Sequence, residues 1–129
     1  MITTIVLLPI ITLIMIFLHR GFPGSVKDLG WKMSGTWTNP TQDLQIMMYS
    51  TGPVLRGHVV GYNNEQALGL LVIKEMTIQP FGLWSSGTFI EPGTRAEKNV
   101  RLRLKHKGVL SIKFAEQQSA QEWRLVRGL

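Results

Sequence analysis

The feature that most constrains the fold is an alternation of apolar and polar residues near the carboxyl end of the chain. In NVRLRLKH, residues 99–106, apolar side chains alternate with cations, and LSIKF, residues 110–114, repeats the alternation after Lys107-Gly108. Successive side chains of a β-strand point to opposite faces of the sheet. The pattern therefore predicts a hairpin with one dry face and one basic face.

Strand-like segments recur along the rest of the chain after Trp31, and Gly, Pro and polar residues separate them. Besides the start at SGTWTN, they cover residues 44–49, 54–61, 68–73, 74–78, 83–91 and 121–127. Short strands with turns every eight to twelve residues are typical of a sandwich or barrel. Because closure removes exposed strand edges, we expect an all-β fold: a small seven- or eight-stranded antiparallel barrel over residues 34–129.

The amino-terminal segment has a different composition. Residues 2–18 are apolar apart from three threonines and Pro9, and they carry no charge. At 1.5 Å per residue a helix of this length spans about 25 Å, the short end of what a bilayer requires. The segment lacks the basic start and small-residue cleavage site of a signal peptide, which remains an alternative, as does a soluble core helix. We expect a transmembrane anchor helix over residues 1–20 and a linker over residues 21–33.

The anchor prediction includes a contact face. Pro9 removes a backbone donor and frees a carbonyl one turn earlier, and Thr12 lies roughly on the same face. Another membrane helix can pack against such a face, so Pro9 and Thr12 are its expected contact residues. The cations after the segment, Arg20, Lys27 and Lys32, favour a cytoplasmic barrel.

Charge and composition narrow the classes of function. The formal net charge is +6, and all of it lies beyond the apolar segment. A basic surface favours anionic partners such as membrane lipid or acidic protein, but the cations are not clustered with aromatics, which disfavours nucleic acid. The chain has no cysteine, and its histidines and carboxylates show no metal-ligand or catalytic spacing. We expect a protein that is not an enzyme and binds no metal or cofactor.

The order of motifs resembles a known family. GTWTN, LRGHVV, LGLLVI, LWSSGTFIEPGT, VRLRLKHKGVLSIKF and EWRLV follow one another over residues 34–127. They are similar, in order and spacing, to bacterial domain-of-unknown-function family 2147, although Glu91 replaces the family's usual aspartate. The resemblance implies a lipocalin-like barrel. Family members often have a cleavable export signal, so it also favours a periplasmic location.

Two groups of side chains are candidates for function. Trp37, Trp84 and Trp123 are expected either to fill the barrel core or to line a ligand cavity. The basic stripe of Arg101, Arg103, Lys105 and Lys107, extended by Arg124 and Arg127 if the last strand pairs nearby, is either a solvated face or a docking surface.

These observations lead to two functional hypotheses. The first is a single-pass membrane protein whose barrel is a non-catalytic interaction or structural module, an accessory subunit of a larger membrane complex. The second is a membrane-tethered, lipocalin-like carrier of a small hydrophobic ligand.

Overall fold

The computed structural model describes residues 22–126, which form a closed antiparallel barrel of eight strands. Each strand pairs with its neighbours in sequence, and β1 pairs with β8 to close the barrel. The strands are β1 (Gly35–Thr38), β2 (Gln45–Thr51), β3 (Val54–Gly61), β4 (Leu71–Thr77), β5 (Ser85–Ile90), β6 (Glu97–His106), β7 (Val109–Phe114) and β8 (Gln121–Leu125). A helix, α1 (Val26–Met33), precedes them, and a short 3₁₀ turn covers Glu65–Ala67. The prediction of an all-β barrel is confirmed.

The alternation of side chains agrees with the predicted hairpin. Val100 and Leu102 of β6 are buried, whereas Arg101 and Arg103 between them are exposed. The turn falls at Lys107-Gly108, and Gly108 adopts a positive φ of 78° that suits a residue without a side chain. Period-2 alternation thus fixes which face of this hairpin points into the barrel.

The segments 68–73 and 74–78 were predicted as two pieces, but the structure has a single strand, β4. The strand is irregular at Glu75, which has a φ of 57°, and the β3–β4 register shifts between Leu55 and Gly57. Such a bulge places an extra residue on one strand and bends it. The disturbed alternation in the sequence reflects this bulge and not a turn.

Residues 21–33, which the sequence predicts as a linker, contain helix α1. The Ser25 hydroxyl caps the helix by accepting a hydrogen bond from the Asp28 amide at 3.2 Å. Leu29 and Met33 are four residues apart, so they lie on one face of the helix, and both are buried in the barrel core. A helix of only eight residues shows too few apolar repeats to stand out in the sequence.

The two ends of the barrel have different covers. At one end, which we call the capped end, lie α1, the β2–β3 turn, the β4–β5 loop and the β6–β7 turn. The opposite end, the mouth, carries the loops 39–44, 62–70, 91–96 and 115–120. The core between them is a single cluster of buried apolar side chains that includes Trp37 and Trp123.

Several predictions concern residues beyond the described part of the chain. They are the anchor over residues 1–20, its contact face at Pro9 and Thr12, and Arg127 of the basic stripe. Within residues 22–126, no helix combines the length and apolarity needed to span a bilayer.

Candidate functional site

The basic stripe predicted on β6 does not form one uniform surface. The Arg103 guanidinium lies 4.5 Å from the ring centroid of Trp84 in a cation–π contact. The Lys105 ammonium donates a hydrogen bond to Glu122 of β8, and this bond lowers the pKa of the Glu122 carboxyl. Lys107 lies in the β6–β7 turn at the capped end. Arg103 and Lys105 thus each contact another side chain, and Lys107 lies apart from them in the turn.

Arg101, the fourth cation, belongs to a groove on the outer wall. It lies opposite Ser86 of β5 and opposite Lys113 of β7, so the three residues form one row across three strands. This row and the flanking Asn99 and Ala115 line a depression of about 460 Å³. We call it the cationic groove.

The groove concentrates positive charge that the barrel leaves uncompensated. Like charges directly opposite each other on neighbouring strands are destabilising, yet Arg101 and Lys113 form such a pair. Among residues 22–126, no carboxylate lies within ion-pair distance of either side chain. An external anion is the simplest group that could offset their repulsion.

A nearby cation on the same wall is neutralised within the barrel. The Lys74 ammonium lies 2.7 Å from a Glu97 carboxylate oxygen, and that hydrogen bond raises the pKa of Lys74. At the mouth, Lys98 likewise lies 3.2 Å from Glu91. The lack of a partner at the cationic groove is therefore a local property and not a general shortage of carboxylates on this wall.

The three tryptophans separate into two environments. Trp37 and Trp123 lie in the core with 0% and 2% of their surface exposed, and the Trp37 ring nitrogen donates a 2.9 Å hydrogen bond to the Met33 carbonyl. Trp84 departs from the prediction of a core or cavity position. It lies just before β5, half-buried and outside the core cluster, because its ring packs beneath Arg103.

The mouth contains a smaller depression of about 260 Å³. Its apolar lining includes Leu44, Tyr62, Phe89, Phe114 and Trp123, and the rings of Phe89 and Phe114 meet edge to face with centroids 5.1 Å apart. Glu91, Lys98 and Glu116 stand at its rim. Most of the barrel interior is filled by side chains, so this depression is a shallow recess and not a deep cavity.

The capped end exposes large apolar side chains that the sequence reasoning did not group together. Phe22, Trp31, Phe81 and Leu83 are 66%, 60%, 74% and 60% exposed. The amide of Phe81 donates a 2.6 Å hydrogen bond to the Gly24 carbonyl, which joins the β4–β5 loop to the start of the helical cap. The sequence feature that could have indicated this patch is the pair of large apolar residues in the turn PFGL, residues 80–83.

No cluster of three or more His, Asp or Glu side chains in residues 22–126 is arranged to hold a metal ion. Comparison with protein-family models finds no match, and comparisons with curated proteins and with solved structures likewise find no similar chain.

Proposed function

We propose that this chain is a membrane-anchored, non-catalytic interaction module, an accessory subunit of a larger membrane protein complex. Its barrel binds an acidic surface of another subunit through the cationic groove. The observation that carries the proposal is the opposed pair of Arg101 and Lys113, which lines a groove and has no carboxylate partner in the described residues.

An acidic protein surface fits this groove for two reasons. A carboxylate placed between the two cations would offset their mutual repulsion, and Ser86 and Asn99 beside them offer hydrogen-bonding groups. The strand register also keeps the backbone positions of the two cations adjacent before binding, so the barrel itself need not rearrange on association.

The anchor in this proposal is the apolar segment of residues 2–18. Its uncharged length is consistent with a short membrane span, and its threonines and proline favour a protein neighbour in the bilayer. The resemblance to family 2147 supports a lipocalin-like barrel as the attached domain, although a fold alone does not assign a function.

The test is charge reversal in the tagged full-length chain, extracted in mild detergent from its native membrane. Arg101→Glu and Lys113→Glu should each reduce co-purification of partner subunits by about tenfold or more, because truncating one member of a desolvated charge pair costs about 2 kcal/mol or more. Arg56→Glu is the matched control, since Arg56 is an exposed cation on β3, on another wall. Unchanged co-purification in both groove variants would refute docking at the groove.

The mouth depression favours a second function, that of a carrier for a small hydrophobic ligand. Its aromatic lining suits an apolar molecule, but its volume of about 260 Å³ lies below the roughly 300–1,000 Å³ of typical ligand pockets. The size therefore places this function second. Native mass spectrometry of the purified full chain tests it: a stoichiometric bound molecule would support the carrier, and a ligand-free mass would count against it.

A further inference from the structure

We propose that the capped end of the barrel is a lipid-contacting surface that rests on the headgroup region of an anionic bilayer. This inference rests on the proposed membrane anchor and adds an orientation: the capped end faces the lipid and the mouth points away from it. Exposed side chains, charge and tether length support it separately.

Exposed apolar side chains are concentrated at this end. Phe81 and Leu83 project from the β4–β5 loop with 74% and 60% of their surface exposed. Phe22 precedes the helix, and Trp31 lies on the outer face of the helix, both more than half exposed. Trp side chains are enriched at the level of the lipid headgroups, and Phe and Leu side chains bury into the headgroup–acyl boundary when an interfacial surface rests on a bilayer.

Positive charge surrounds these apolar side chains. Lys27 lies one helical turn before Trp31, and Lys107 occupies the β6–β7 turn. Lys32 also belongs to this end, and its ammonium lies 3.0 Å from Asp28, the single carboxylate of the capped-end segments. Three lysines against one aspartate make this end positive, which suits anionic headgroups.

The chain between the apolar segment and the barrel is short. Only residues 19–21 separate Leu18 from Phe22, and a fully extended chain spans about 3.5 Å per residue. Phe22 therefore lies within about 14 Å of the end of the apolar segment. Since the interfacial zone on each side of a bilayer is roughly 5–8 Å thick, a membrane-embedded segment keeps Phe22 within the headgroup zone or at most about 9 Å beyond it, which is close enough for the capped end to reach the headgroups.

The mouth differs in charge, and Leu68, 48% exposed, is the large apolar side chain that its described loops expose. Its loops carry four carboxylates, Asp43, Glu65, Glu91 and Glu116, and one cation, Arg95. Strands rise about 3.3 Å per residue, so these loops lie roughly 20 Å from the capped end. An anionic surface would repel the mouth while it attracts the capped end.

The experiment uses the absence of cysteine from the chain. Two full-length variants, Leu83→Cys and Ala120→Cys, are labelled with an environment-sensitive fluorophore and reconstituted into phosphatidylcholine vesicles containing about 30 mol% phosphatidylglycerol. Both positions are exposed, so the label should not disturb the core, but Leu83 lies at the capped end and Ala120 at the mouth. Circular dichroism confirms that each labelled barrel is folded.

We expect the label at Leu83 to shift to a shorter emission wavelength. Brominated lipid should quench about half or more of its fluorescence, because the label would lie at the boundary between the headgroups and the acyl chains. The label at Ala120 should keep the emission wavelength of a fluorophore exposed to water. Vesicles without phosphatidylglycerol should give weaker quenching at Leu83, since they lack the attraction to the lysines.

Co-sedimentation with the vesicles separates failure of this inference from failure of the anchor. If the chain sediments with vesicles but the Leu83 label remains in water, the anchor stands and lipid contact at the capped end is refuted; that result would assign the apolar patch to a protein neighbour. If the chain does not sediment, both proposals fail. Equal quenching at Leu83 and Ala120 would also refute the proposed orientation.

Discussion

The capped end and the mouth close the same barrel by different physical means. At the capped end a helix inserts Leu29 and Met33 into the core, and a buried hydrogen bond joins it to Trp37. At the mouth, polar loops cover a shallow depression, and Asp43 accepts hydrogen bonds from Asn39 and Thr41 in solvent. One end is sealed by packing and the other by hydrated loops.

This difference shows that the two ends of one small barrel can suit different surroundings. The sealed end makes the interior inaccessible and leaves apolar side chains outside, where only another apolar or interfacial surface can cover them. The hydrated end needs no partner to remain soluble. Between the two ends, the cationic groove on the outer wall is accessible to another protein.

The largest expected effect comes from removing the hydrogen bond between barrel and cap. Trp37→Phe deletes the donor to the Met33 carbonyl and leaves a buried acceptor and a small cavity, so the free energy of unfolding should fall by about 3 kcal/mol. Trp123→Phe at the mouth leaves a similar cavity, because Trp123 is also buried, but it loses a longer bond, 3.2 Å to the half-buried Gln121, and should lose about 2 kcal/mol. Urea denaturation measures both, and equal losses would remove the distinction between the ends.

A smaller effect is expected where the helix touches the barrel wall. A side chain added at Gly30 would place its Cβ 2.8 Å from the Ser50 hydroxyl oxygen, so Gly30→Val should overpack this contact and lower the free energy of unfolding by about 2 kcal/mol. At the mouth, the nearest atom to a Cβ at Gly93 is the Tyr62 hydroxyl at 3.4 Å, an ordinary contact. Gly93→Val should therefore change stability by less than about 0.5 kcal/mol, and a loss like that of Gly30→Val would mean that the mouth is packed as tightly.

The sequence was sufficient to predict the barrel because alternation with period 2 is a direct consequence of strand geometry. It was insufficient for the helical cap, since α1 has only eight residues, and its inward-facing apolar positions, Val26, Leu29 and Met33, repeat over just two turns. The N-cap at Ser25 was the one local signal. Without the cap, nothing indicated that one barrel end differs from the other.

The candidate sites were only partly predictable for a similar reason. Alternation placed Arg101 and Arg103 on the outer face, but their different surroundings depend on cross-strand neighbours. Lys113 lies opposite Arg101, and the ring of Trp84 lies beneath Arg103. Such neighbours follow from strand register, which the sequence pattern of one strand does not specify.

The third prediction compares two cations of β6, Arg103 near the capped end and Arg101 in the cationic groove. Arg103→Gln removes the cation from the Trp84 ring and should lower the free energy of unfolding by about 0.5–1 kcal/mol. Arg101→Gln, two residues earlier and facing the same way, relieves repulsion with Lys113 and should leave stability unchanged or slightly raised. Thermal denaturation of the two variants compares them, and a larger loss in Arg101→Gln would contradict an uncompensated cation pair.

The smallest effect concerns pH at the mouth. Hydrogen bonds from the Thr41 hydroxyl and then from the Asn39 amide lower the pKa of Asp43 below its usual value of 3.8. A carboxyl with a lowered pKa in the folded state contributes stability that is present above the unfolded pKa and is lost as the pH falls through the folded pKa. Asp43→Asn should therefore lower the melting temperature slightly at neutral pH, and the difference should vanish at pH values well below 3.8. A difference that persists in acid would trace the effect to something other than ionised Asp43.

The junction between the first and last strands has a consequence for the order of assembly. Strands β1 and β8 meet through only two residue pairs, Trp37 with Leu125 and Thr38 with Arg124. All other strand pairs join neighbours in sequence and form by short-range hairpin closure, whereas this junction must bring together residues at the two ends of the barrel sequence, about two thirds of the chain apart. We expect the curled sheet to form first and this seam to close last, so the seam is also where the folded barrel first opens.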